Sequence, residues 1–185
     1  MKLLKLMYLL PIFIWPNIGY AEKDLNYTVP FHQPISVKYR GQESTLIFLK
    51  NNLKKELPSD EGNISDGEFF NVTDQGKSID YIDRVKGDEI LSVFFSLDKK
   101  KDSKFLYILT GTKISQKNKK GYLYSTSKYL ITLKNDIIHI SHDSNDKNNI
   151  AINNCFEGLD GDNKVICKYK NASAIKKYLN SSRLK

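Results

Sequence analysis

The sequence predicts an α+β fold, a single domain in which an antiparallel β-meander lies between one helix of the N-terminal half and a short C-terminal helix. Three observations carry this expectation. Leu46, Leu49, Leu53 and Leu57 recur at helical spacing. From Glu89 onward, short runs rich in Ile, Val, Phe, Tyr and Thr are separated by polar turns, as the strands of a meander are. Near the end of the chain, Ala174, Ile175 and Leu179 fall on one helical face. A mostly β sandwich is the alternative, because Thr45, Ile47 and Phe48 also suit a strand over Thr45 to Lys50.

The first residues read as an address rather than as part of the fold. Lys2 and Lys5 precede an apolar run from Leu3 to Trp15, and Gly19-Tyr20-Ala21 supplies small residues at a cleavage site. Residues 1–21 are therefore expected to be a secretory signal peptide, leaving 22–185 as one secreted globular domain. A membrane anchor fits less well: a span needs roughly 20 apolar residues, and Pro11 and Pro16 interrupt this run. No cysteine follows the expected cleavage point, so no lipid anchor is expected. The predicted localisation is exported, either periplasmic or extracellular.

Each later element has its own reason. Pro30 and Pro34 keep the lead-in extended, and Ile35 to Tyr39 suits a first strand. Ser44 can cap a helix over Ser44 to Leu57, with Lys54 and Lys55 at its C-terminal end and Pro58 stopping it. Phe69 to Val72 suits a short strand before a turn at Asp74-Gln75-Gly76, while Ser78 to Val85 is ambiguous. Ile90 to Leu97 and Phe105 to Thr110 flank the polar stretch Asp98 to Lys104 as a hairpin. Tyr122 to Leu133 and Ile137 to Ser141 form a second hairpin across Asn135-Asp136. Ile150 to Phe156 and Val165 to Tyr169 are expected strands around a tight turn, and Ser173 to Leu179 closes the chain behind Asn171 or Ser173 as cap.

Aromatic residues make up 11% of the chain, which argues against disorder. Lys2 and Lys5 contribute two of the formal +8, so about +6 remains after them. Lysine supplies nearly all of it, the arginines being Arg40, Arg84 and Arg183. Specific recognition of bases favours the planar guanidinium over the lysine point charge. The composition therefore predicts no specific nucleic-acid partner, and a positive field that steers acidic partners toward the protein. Cys155 and Cys167 are the two cysteines, and in an oxidising compartment they are expected to pair.

The constellations that usually carry chemistry are weak here. His139 and His142 sit in an Ile-rich run that reads as a strand, where an odd separation sends them to opposite faces. Asp160 and Asp162 lack the further oxygen ligands of a calcium loop, since Lys164 and Ile166 follow. Asp80, Asp83, Asp88 and Glu89 form an acidic cluster, but Lys77, Arg84 and Lys86 beside it indicate a solvated surface. Nucleotide-binding glycine loops and the nucleophile elbow are absent. The expectation is no catalytic set, no metal and no cofactor, with enzymatic function less favoured than binding. Five Asn-x-Ser/Thr triplets begin at Asn26, Asn63, Asn71, Asn171 and Asn180, as an Asn- and Ser-rich chain produces by chance.

The remaining candidate is a basic rim. Lys99, Lys100 and Lys101 form one cluster, and Lys119 and Lys120, with Lys117, form another near a hairpin tip. Tyr122, Tyr124 and Tyr129 would supply rigid aromatic contacts beside them. The competing reading is that lysines at turns keep sheet edges unpaired and soluble. These features predict an exported non-enzymatic binding protein, most concretely a periplasmic immunity or inhibitor protein that blocks a toxin or cell-wall enzyme. The other classes are a secreted hydrolase using surface carboxylates and a secreted protein that binds anionic surfaces.

Overall fold

The computed structural model describes residues 30–50, 66–73, 78–98, 102–143 and 152–182. The expected signal peptide, the second half of the expected N-terminal helix, the turn at Asp74-Gln75-Gly76 and the lysines Lys99, Lys100 and Lys101 lie outside them. Within the described residues the chain is nearly all strand, arranged as two antiparallel sheets with one helix. The expected α+β fold is therefore corrected to a mostly β fold, the alternative raised by the residues around Thr45.

The first sheet is a meander of β1 (Pro30–Tyr39), β2 (Gln42–Lys50), β3 (Asp66–Thr73) and β4 (Ser78–Lys86), in that order. Its second strand is where a helix was expected. Ser44, Leu46 and Phe48 alternate inward and are buried, while β1 pairs on one side and β3 on the other. Ladder bonds on both edges outweigh the weak helical signal of spaced leucines. Ser44 caps nothing here; it points into the sandwich.

The second sheet runs in the order β10 (Asn163–Val165), β9 (Cys155–Asp160), β7 (Lys119–Lys134), β6 (Ser103–Ser115) and β5 (Glu89–Asp98). One edge of the long β7 pairs with β6 from Lys120 to Ile131. Its other edge is shared: the first residues pair with β9 and the last with β8 (Ile137–His142). The β7–β8 hairpin turns at Asn135 and Asp136, both at positive φ (53° and 59°). That is the primed two-residue turn expected there.

β9 begins later than the sequence suggested and runs through Gly158, so the tight turn falls at Gly161-Asp162. The reason is a close backbone approach. A Cβ on Gly158 would meet the Cα of Gly121 at 2.6 Å as well as the Lys120 carbonyl, and its φ of +152° suits glycine. Only with glycine on both strands can β9 lie this close to β7.

Two apolar layers hold the sheets. Between them, Val37, Leu46, Phe48, Phe69 and Val85 meet Leu106, Ile108, Tyr129, Ile131, Ile138 and Ile140. Asn71 reaches across, its Nδ2 donating to the Ile138 carbonyl at 2.9 Å, so this side chain is buried in the core. On the outer face of the second sheet, Phe94, Phe105, Tyr107, Leu109 and Ile152 are covered by Ile175 and Leu179 of α1 (Ala172–Ser182). The helix starts as expected: Asn171 Oδ1 accepts the Ala174 N–H at 2.9 Å. β6 is thus covered on both sides, and Phe105 to Gly111 is buried without interruption.

Cys155 and Cys167 form the expected disulfide, which fastens the start of β9 to the segment leading into α1. Chain-entropy arguments put its contribution at about 3 kcal/mol.

Candidate functional site

The helix covers only part of the outer face of the second sheet. Toward the β6–β7 turn that face carries Tyr122 and Tyr124, two residues apart on β7 and so on one side of the pleat. Across the strands, Tyr122 lies between Lys113 and Glu157, and Tyr124 between Gly111 and Cys155. The ring of Tyr122 lies on Gly111: a Cβ there would overlap the phenol, so glycine makes room for it. The two tyrosine rings are 5.0 Å apart and tilted by 52°.

Each end of this pair is held by a carboxylate. The Tyr122 hydroxyl donates to Glu89, the first residue of β5. The Tyr124 hydroxyl donates to Glu157 of β9 at 3.3 Å, and the Lys170 ammonium donates to both oxygens of Glu157 at 2.8 and 3.1 Å. Asp88 completes the near edge by accepting the Lys113 N–H at 2.8 Å. The resulting row, Glu89–Tyr122–Tyr124–Glu157–Lys170, draws on β5, β7, β9 and the loop before α1.

The electrostatics lock these groups into their ordinary states. Burial, reinforced by Glu89, pushes Tyr122 well above the usual phenol range, and burial with Glu157 raises Tyr124. The hydrogen bond from Lys170 is the main cause lowering Glu157, and the same bond raises Lys170. Neutral phenols, a carboxylate and an ammonium are thus joined in one charge-assisted hydrogen-bonded row. A general acid would instead require a carboxyl raised by burial.

The predicted binding residues divide among different places. Lys120, Tyr122 and Tyr124 share the outer face. Lys119, one residue from Lys120, projects to the other face, with its ammonium 4.5 Å from the Phe156 ring centroid and 3.9 Å from Asp160. Lys99, Lys100 and Lys101 lie outside the described residues, and Lys117 to Lys120 lie at the end of β6 away from Ser103. Tyr129, grouped with the two tyrosines by sequence, lies instead in the core between the sheets.

The acidic cluster is likewise dispersed. Asp83, on β4, accepts the Tyr129 hydroxyl at 3.1 Å and its own neighbour's Arg84 N–H at 2.8 Å. Glu89 belongs to the tyrosine row on the second sheet. His139 pairs with Thr132 and His142 with Tyr129, an odd step apart on β8. Among the described residues, no three His, Cys, Asp or Glu side chains converge as metal ligands would.

Sequence reasoning missed Gly111, Lys113, Glu157, Lys170 and the exposed Leu159, and grouped Glu89 with the acidic cluster rather than with the tyrosines. The Tyr-x-Tyr spacing was the one available signal for this face, since the partners come from other elements through sheet register. Comparison with known proteins found no matching family model, no matching curated protein and no matching solved structure.

Proposed function

We propose that this protein is an exported, non-enzymatic binding protein. Its most concrete form is an immunity or inhibitor protein that blocks a toxin or cell-wall enzyme in the periplasm. The observation that carries this reading is the half-buried row of Tyr122 and Tyr124, with the exposed Lys113 and Lys120 on the same face. Rigid aromatic side chains with flanking polar groups are the usual anchors of protein interfaces. Lysines beside them raise the encounter rate with an acidic partner. The leader-like residues 1–21 support export, and the paired cysteines agree with an oxidising compartment.

The test is affinity capture from the organism's own exported proteins, with the protein purified after export as bait. One stoichiometric partner, lost when Tyr122→Ala is used and retained with Lys134→Ala at the far end of β7, is the expected result. Truncating a central aromatic anchor should weaken binding by roughly 30-fold or more. Failure to capture a stoichiometric partner, or a partner indifferent to Tyr122, would overturn the reading.

A further inference from the structure

Beyond the start of β5, the second sheet continues as the end of β6, the start of β7, β9 and β10. This end has two turns side by side, joined by a bond from the Gly161 N–H to the Asn118 carbonyl. Its surface combines two features. Leu159 is 50% exposed and Ile166 is 66% exposed, among the most exposed large apolar residues described. Around them stand Lys117, Lys120, Lys164 and Lys168, all exposed.

The register places a leucine directly between two lysines. Lys120 pairs with Leu159, and Leu159 pairs with Lys164. A shallow open groove of about 240 Å³ runs beside this row, lined by Lys117, Asn118, Lys120, Leu159, Gly161 and Asp162. The acids here do not cancel the charge. Five lysines, counting Lys119, stand against Asp160 and Asp162 over residues 116–120 and 159–168, and Asp160 is taken by Lys119.

We propose that this end of the molecule docks on an anionic membrane surface, with the lysines against lipid phosphates and Leu159 and Ile166 entering the interfacial layer. The charge complement is a sheet of phosphates, which needs no fork geometry, and every cation here is a lysine point charge. A protein partner of matching charge would more readily exploit arginine and a shaped pocket; here the recess is shallow and open. Exposed aliphatic side chains ringed by ammonium groups match the layered polarity of a headgroup region. This inference does not rest on the binding reading above, since it concerns lipid and requires no protein partner, although Lys120 belongs to both surfaces.

The experiment is vesicle co-sedimentation of the protein purified after export, its N-terminus fixed by mass spectrometry. The vesicles are equimolar phosphatidylglycerol and phosphatidylcholine, or phosphatidylcholine alone. Binding to the anionic vesicles only, reduced by salt, is expected. The triple variant Lys117→Glu, Lys120→Glu, Lys164→Glu should lose more than 100-fold, at about fivefold for each lysine charge removed. The control Lys86→Glu, Lys134→Glu, Lys177→Glu changes net charge equally from elsewhere and should lose far less. Leu159→Ser should weaken binding several-fold with the fold intact by circular dichroism. Equal loss in both triple variants, unchanged binding by Leu159→Ser, or no preference for anionic vesicles would each overturn the proposal.

Discussion

The hydroxyl of Tyr129 on β7 donates to the carboxylate of Asp83 on β4 across the sandwich, at 3.1 Å. Tyr129 is almost wholly buried and packs edge-on against Phe69, whose ring stacks on Phe48. A buried phenol needs an acceptor, and a β-bulge in β4 between its pairings with Phe69 and Phe70 brings Asp83 to it. The polar link thus sets how the two sheets sit on one another.

Tyr129→Phe should keep the ring and lose the bond, destabilising the protein by about 1.5–3 kcal/mol, the range for hydrogen bonds to charged groups. Tyr129→Ala should cost about 3–5 kcal/mol through the cavity it leaves. Urea unfolding midpoints of the two variants check both values, and an unchanged midpoint for the phenylalanine variant would remove the link from the account.

The same tyrosine gives an alkaline limit. Burial first, then Asp83, raises Tyr129 far above the unfolded value of 10.0, and burial with Glu89 raises Tyr122. A raised group contributes stability fully below its unfolded pKa, and that stability is lost as pH rises toward the folded one. Stability should therefore decline above about pH 10, by up to about 1.4 kcal/mol per pH unit for each phenol kept neutral. Ultraviolet titration of tyrosinate should show a late fraction ionising only with unfolding.

At the acid end the sign reverses. Lys170 chiefly lowers Glu157, so the contact between β9 and the loop before α1 is present above pH 4.5 and weakens as pH falls through the folded value. Backbone hydrogen exchange around Tyr169 and Lys170 should accelerate below that point, and Glu157→Gln should remove the pH dependence.

Two glycines should behave differently. Gly158→Ala drives a Cβ into the backbone of β7 and strains a positive φ, so several kcal/mol of stability should go. Gly111→Ala meets first the ring of Tyr122, a side chain rather than backbone. It should therefore cost binding at the tyrosine face before it costs stability. Thermal unfolding alongside partner binding separates the two effects.

Removing the disulfide with Cys155→Ser and Cys167→Ser should cost about 3 kcal/mol on the chain-entropy model. Hydrogen exchange should rise across β9 and β10 while β2 and β6 remain protected. Uniform loss of protection would mean that the bridge supports the whole sandwich.

The mistaken helix shows where the sequence was hard to read. β2 is a central strand, and its outward residues Thr45, Ile47 and Leu49 are half-buried rather than polar. Apolar residues on both faces hide the period of two, and the leucines then fall into a helical rhythm. By contrast, the unbroken run Phe105-Leu106-Tyr107-Ile108-Leu109 was a legible sign of burial on both faces. Lys119 and Lys120 were grouped because they are neighbours, although adjacent strand residues point oppositely.

The sequence by itself determined the features that depend on neighbouring atoms and on valence. Two cysteines admit one intramolecular bridge. Asn135-Asp136 tolerates the left-handed backbone of a tight turn, and Asn171 supplies an oxygen for the first turn of the helix. Only the tertiary structure decided that Glu89, Tyr122, Tyr124, Glu157 and Lys170 would form one row, and that Lys119 and Lys120 would face opposite sides of the second sheet. Local preferences act over a few bonds. Strand register is settled by burying both apolar layers at once, and it decides which distant side chains meet.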